Sequence, residues 1–365
     1  MSELDVSKVL NDRRLVLCGG SGGVGKTTTA AALGVVAAGL GRRTLVLTID
    51  PARRLANAMG VSQIGHEPTA VPGVSNLWVM MLDAGQSIDA LVSQHAPDQQ
   101  AGEALLNNPY YRQISASVAG SREFIAMEKL HDLLADERFD LLIVDTPPAQ
   151  HALDFLDAPK RLLELLDGSG LGLLLRTTSV ANRLSFGLLG RSQKQFAKLF
   201  EQLTGHRLML DLSAFYETFE DVIVGFRSRA ATMQRTLRSA DVAFLLVLIP
   251  QADAMVAAQS YFQRLRAESM TLAGLLFNQV LPIQSLPISA ADATAALRQT
   301  GLSPEQVDGA LASYGVWRSR AQEQDRQMQQ WRDSTGVACA RVPRFGSAIG
   351  SIDDLQRFAA ALVSV

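Results

Sequence analysis

The chain has 365 residues, 47% of them hydrophobic and 19% charged, with a formal net charge of -2. That is ample material for one large α/β domain or a domain with sizeable insertions, and the near-neutral balance leaves no electrostatic footprint for a nucleic-acid partner. No apolar run reaches the roughly 18 residues needed to span a bilayer, and the polar, mixed-charge stretch Met1 to Arg14 is not a secretory signal.

In chain order, Leu15-Val16-Leu17-Cys18 predicts a short buried strand, and Thr28 to Leu40, rich in Ala and Leu, predicts a helix. Between them stands Gly20-Ser21-Gly22-Gly23-Val24-Gly25-Lys26-Thr27, which fits G-x-x-x-x-G-K-[ST]. Further strands are predicted at Arg43 to Ile49, ending at Asp50, and at Leu77 to Leu82. An insertion, Gln86 to Glu137, reads as helical, with Glu123 to Leu134 its clearest amphipathic piece. Phe139 to Val144 then runs as a strand into Asp145. A second insertion, 147–238, holds no convincing strand and reads as helices over Pro159 to Leu166, Arg191 to Leu203 and Asp211 to Leu237. The last strands are Val242 to Ile249, stopping at Pro250, Leu272 to Phe277, stopping at Asn278, and Val337 to Val342, stopping at Pro343. Runs apolar on both faces with helical patterns between them predict a mainly parallel sheet covered on both sides, the α/β architecture of a P-loop NTPase. Gly168 to Gly190 and Pro282 to Pro304 read as mobile connections. No internal repeat is present, so residues 1–365 read as a single nucleotide-binding domain carrying two helical insertions.

The chemistry sits at strand ends, where open parallel sheets bind ligands. A glycine-rich turn between strand and helix presents backbone N–H groups at the positive end of a helix dipole, which is a phosphate site. Lys26 would reach the β- and γ-phosphates of ATP, and the Thr27 hydroxyl would bind Mg²⁺. Asp50 and Asp145 each follow an apolar run, and a carboxylate there suits a Mg²⁺ partner acting directly or through water. Either aspartate alone could equally be a helix N-cap or turn former. The two cysteines, Cys18 and Cys339, lie in apolar strand-like runs and read as small core residues, which fits a reducing cytoplasm.

The loop with its signature G-G-V-G-K-T, the segment Asp50-Pro51-Ala52 and the run Asp145-Thr146-Pro147-Pro148-Ala149-Gln150-His151 together resemble one family. It is that of the arsenite-pump ATPases and tail-anchored-protein targeting ATPases. Asn278-Gln279 and Val342-Pro343 are similar to that family's two adenine-side elements, and the order of motifs matches from about Leu15 to Val365. The resemblance implies that Gly22, Gly23, Val24, Gly25, Lys26, Thr27 and Thr28 hold the phosphates and Mg²⁺. It makes Asp50 the residue that orients the attacking water, Asp145 the head of the second switch, and Asn278 and Pro343 the adenine contacts. His151 matches as well, though it reads equally as a packing histidine.

Departures from the family are informative. Its signature lysine, which reaches the partner's nucleotide across a dimer, is Ser21 here, so either Arg53 or Arg54 replaces it, a partner subunit supplies a cation, or turnover is slow. The C-x-x-C pair that clasps zinc and the metalloid-binding cysteines are both missing, so no zinc is expected and an anion-pump subunit is disfavoured. The resemblance implies a two-fold dimer, or a heterodimer with a lysine-retaining paralogue. The helical insertions carry Leu171 to Leu175, Phe186 to Leu189, Met209, Phe215, Phe219 and Met233, apolar side chains that suit an apolar or membrane-protein client. They read equally as ordinary helix core, and a regulatory ATPase docking a soluble protein is the alternative.

Overall fold

The computed structural model describes residues 3–49, 54–61, 64–82, 89, 92–93, 96, 98–108, 111, 122–146, 157, 160, 222, 224–282 and 289–363. The chain divides into two compact units, one of Met1–Met81, Glu137–Ala152 and Arg238–Val365, the other of Leu82–Asp136 and Leu153–Leu237.

The first unit holds one sheet of eight strands: β1 (Leu15–Gly19), β2 (Thr44–Thr48), β3 (Thr69–Ala70), β4 (Leu77–Met81), β5 (Leu141–Asp145), β6 (Val242–Leu248), β7 (Leu272–Val280) and β8 (Cys339–Pro343). Their order is β3-β4-β2-β5-β1-β6-β7-β8, all parallel except the short β3 against β4. The expected parallel α/β sheet is therefore the observed one. Every residue of β1, β2, β5 and β6 is buried, which is why these strands read as continuous apolar runs without alternation. Cys18 and Cys339 are free and buried in β1 and β8, and burial pushes the Cys18 thiol up.

Helices of this unit are α1 (Val6–Asp12), α2 (Lys26–Gly39) and α3 (Arg54–Met59), which precede the first insertion. Helix α10 (Ile352–Val363) closes the chain and shows how sequence fixes packing. Leu355, Phe358, Ala359 and Leu362 recur at helical spacing and are the buried face, with the Phe358 ring stacked on Phe345 at 5.6 Å. Each of the larger side chains stabilises by about 1.5–3 kcal/mol through burial. The remaining helices are α7 (Ala252–Ala267), α8 (Ala290–Gln299) and α9 (Pro304–Thr335).

Two expectations are corrected here. Strand β7 does not stop at Asn278 but continues to Val280. The stretch from Pro282 to Pro304 is not simply a connection, because α8 forms within it. Its start is explained by Ser289, whose Oγ accepts from the Asp292 N–H at 3.1 Å, ahead of an alanine-rich run of good helix formers. Helix α9 starts on a capping box of Ser303 and Gln306 with Pro304 in its first turn, and ends on Gly336.

The second unit contains α4 (Gln99–Leu106), capped by Asp98, α5 (Arg122–Ala135) and α6, residues 224–237. A buried ion pair ties α5 to α6: Arg229 Nε donates to Glu128 Oε2 at 2.6 Å. Burial pushes the Glu128 carboxyl above the usual carboxylate range in spite of that arginine. Met233 is buried at 1% exposure, so it is core and not part of an open groove as one reading had it. Leu171 to Leu175, Phe186 to Leu189, Met209, Phe215 and Phe219 lie outside the described residues.

At the edge opposite the strand ends, the Arg43 guanidinium donates to both Asp140 carboxylate oxygens at 2.6 and 3.1 Å, and the Arg43 N–H adds a bond at 2.9 Å. The Arg43 side chain first, then its N–H, holds the Asp140 carboxyl at about 2, below its ordinary 3.8. A carboxylate whose pKa is depressed on folding contributes stability above its unfolded pKa and loses it as pH falls through the folded one. Thermal melts should therefore fall more steeply for the parent than for Asp140→Asn between about pH 4 and about pH 2. Equal slopes would remove this pair from the acid response.

Candidate functional site

Strand β1 lies between β5 and β6, near the middle of the sheet, and its carboxyl end opens into the glycine-rich loop. The loop is fixed by what a side chain could not do there. A Cβ on Gly20 would stand 2.3 Å from the Val247 carbonyl oxygen, and Gly20 has φ 149°. Gly25 is left-handed, with φ 92°, and a Cβ there would meet the Asn278 amide nitrogen at 2.3 Å. Helix α2 begins directly after Gly25, with no side chain capping its first turn. Its N-terminus, formed by Lys26, Thr27 and Thr28, thus faces the loop with its dipole available to an anion. Gly22 and Gly23 are exposed at the loop's crest, while Val24 is buried beneath it. Lys26 is only 8% exposed, and its Nζ donates to the Ser21 carbonyl at 2.9 Å. The ammonium is thereby folded over the loop where phosphates would lie.

Strand register brings a carboxylate to the same place. Asp145 ends β5, and its direct partners are Cys18 on β1 and Thr48 on β2. The Thr27 hydroxyl donates to Asp145 Oδ2 at 2.6 Å, and the Thr48 hydroxyl reaches the same oxygen at 3.3 Å. Asp145 is 2% exposed. Hydroxyl and carboxylate oxygens so grouped form the hard donor set that Mg²⁺ takes. The next residue, Thr146, donates from its hydroxyl to the Cys18 carbonyl at 2.8 Å and holds the start of the following segment against β1.

On the other side of the loop, Asn278 on β7 is 5% exposed, and its Nδ2 donates to the Val24 carbonyl at 2.8 Å. Pro343 ends β8 in register with Val280, and the Arg344 N–H donates to the Val280 carbonyl at 2.8 Å. The structure thus brings Lys26, Thr27 and Asp145 together and ties Asn278 to the loop, while Pro343 stands one strand beyond Asn278. Asp50, Arg53, the Arg54 side chain and His151 lie outside the described residues.

Sequence reasoning missed Thr48 and Thr146. The signal for Thr48 was a lone hydroxyl in the otherwise apolar Leu45-Val46-Leu47, two residues before Asp50. Thr146 was legible only as part of a motif, because its partner is a backbone carbonyl on another strand. The bond from Asn278 to the loop itself was not legible either, because Val24 lies 254 positions away in sequence.

With this geometry in place, comparison with known proteins is specific. The model of the anion-transporting ATPase family matches residues 13–300. The ATPase ASNA1 homolog 1 of Paramecium tetraurelia is 28% identical over 284 residues, which cover 76% of this chain and 79% of that protein. The ATPase GET3 of Malassezia globosa is 25% identical over 280 residues, 76% of each. The ATPase get3 of Schizosaccharomyces pombe is 32% identical over 189 residues, 50% of this chain and 55% of that one.

Proposed function

We propose that this chain, which belongs to the anion-transporting ATPase family, couples Mg²⁺-dependent ATP hydrolysis to a dimeric conformational switch. That it is an ATPase follows from the family and its relatives. The switch is our reading, and one observation carries it: the Thr27 hydroxyl bonded to Asp145 at the end of β5.

That bond gives each group a role. The Thr27 proton is committed to Asp145, so the hydroxyl's lone pairs are left for a metal. Thr27 would hold Mg²⁺ directly and Asp145 through Thr27 and a water; when bound, the ion neutralises charge on the β- and γ-phosphates. Lys26 and the N–H groups of Gly22, Gly23, Val24, Gly25, Thr27 and Thr28 bind and orient those phosphates. Asp50 orients the attacking water. With Ser21 in place of a trans lysine, Arg53, Arg54 or a partner subunit, identical or paralogous, supplies the missing charge; the planar guanidinium is suited to phosphate oxygens.

Coupling has a covalent path. The residues after Thr146 lead within a few positions into Leu153–Leu237, part of the second unit. Losing the γ-phosphate changes what Asp145 and its neighbours hold, and that change is passed to the helices through the segment between. We read the second insertion, 147–238, as receiving an apolar or membrane-protein client, on the apolar composition of 171–219. An apolar fluorescent dye tests this. Its signal should rise several-fold with a non-hydrolysable ATP analogue and Mg²⁺ relative to ADP, and Lys26→Ala should abolish the rise. Equal dye binding in both nucleotide states would contradict the client reading and leave a switch that docks a soluble protein. Among the described residues no helix is long and apolar enough to cross a membrane.

A further inference from the structure

We infer that Asn278 is a strut for the phosphate loop, setting the loop's shape by a hydrogen bond, and that this role does not depend on the base. The inference rests on the reading of that loop as the phosphate site.

Ordinary alternation aims this side chain. Leu276 belongs to the core that α2 packs against, and two residues on, Asn278 falls on the same face of β7, toward the loop that precedes α2. Just beyond it the pairing of β7 and β8, regular up to Phe277 and Arg341, loses register until Val280 meets Pro343. Within that step Gln279 takes φ 56°, a left-handed conformation that costs a non-glycine residue of order 1 kcal/mol or more.

Both ends of its amide are then used on backbone. Oδ1 accepts from the Gln279 N–H at 2.9 Å, which fixes the amide plane locally. Nδ2 donates to the Val24 carbonyl at 2.8 Å, in the middle of the glycine-rich loop and 254 positions away in sequence. The contact is tight: the missing Cβ of Gly25 would lie 2.3 Å from Nδ2, so the loop's last glycine makes room for the strut. Val24 is itself buried at 1% exposure, so its carbonyl is held from a fixed side chain's backbone and not from a mobile tip. The next turn of chain is anchored as well, because the Leu281 N–H donates to Gln324 Oε1 of α9 at 2.9 Å. A rigid strand end is therefore clamped to the loop that must present its N–H groups to phosphates in one conformation.

The two roles separate by ligand. Affinities of ATP, GTP and inorganic tripolyphosphate, each with Mg²⁺, are measured by calorimetry for the parent, Asn278→Ala and Asn278→Leu. The leucine variant keeps the branched shape and heavy-atom count, adds no charge and removes the polar groups, and it stands in if the alanine variant does not fold. Losing a buried hydrogen bond should weaken all three ligands by about tenfold, with stoichiometry unchanged and the ATP-to-GTP preference kept within about twofold. Tripolyphosphate binding as tight as the parent's in the folded variants, with loss confined to ATP, would overturn the strut and make Asn278 a base reader. Parent-like affinity in Asn278→Leu would overturn it too, since the role would then be one of volume. Lys26→Ala, run alongside, tests the premise separately: if it still bound tripolyphosphate, the phosphate loop itself would be misassigned.

Discussion

Lys26→Ala should lose ATP binding by between about a hundredfold and ten-thousandfold while keeping its fold. In the role proposed for it, the lysine would serve two phosphates, and each hydrogen bond to a charged group is worth about 1.5–3 kcal/mol, which gives that range. The residue is 8% exposed, and its Nζ donates to the Ser21 carbonyl of the loop. Exchanging a neutral carbonyl for phosphate oxygens is a gain only a cation can make, so methionine at this position should fail like alanine. Calorimetry with ATP and Mg²⁺, with far-UV circular dichroism to establish folding, measures it. A folded Lys26→Ala protein that binds ATP within threefold of the parent would show that nucleotide does not use this loop.

Asp50→Asn should separate binding from chemistry. Turnover should fall by about a hundredfold or more, the scale expected when a group positioned at the attacking nucleophile is lost. Affinity for ATP should stay within a few-fold of the parent or improve, because removing a carboxylate near the γ-phosphate removes repulsion. Thr48, two residues earlier, is in register with Asp145, and the Ile49 N–H donates to the Asp145 carbonyl at 3.4 Å. The ordinary pKa of an aspartate is too low for a strong base, so the role proposed for Asp50 is orientation of water. Phosphate release at saturating ATP measures the effect. Turnover at the parent's rate would take Asp50 out of the mechanism.

The sheet was legible because β1, β2, β5 and β6 are buried throughout and each has an apolar run at its centre, with the threonines of β2 and the aspartate of β5 only at the ends. The loop was legible because the conformations at Gly20 and Gly25 exclude side chains, so the pattern of glycines records backbone shape. Asp145 was visible as a carboxylate after an apolar run. Its bond to Thr27, 118 positions earlier, was not, since nothing local in sequence states which strand ends are neighbours. The same holds for Asn278, whose partner lies across two strands. The end of β7 was misjudged because an asparagine normally marks a strand's end, whereas here it sits inside an irregular continuation. Helix α8 was hidden by the prolines flanking an alanine-rich segment, and its serine cap was the overlooked signal.

The central claim, that ATP drives a dimeric switch, is tested most directly by light scattering on the Asp50→Asn protein at micromolar concentration. With ATP and Mg²⁺ this variant should hold its nucleotide unhydrolysed and show twice the mass of the 365-residue chain. With ADP, or with Lys26→Ala added, the share of dimer should fall. A mass of one chain with ATP bound, the same as with ADP, would contradict the account.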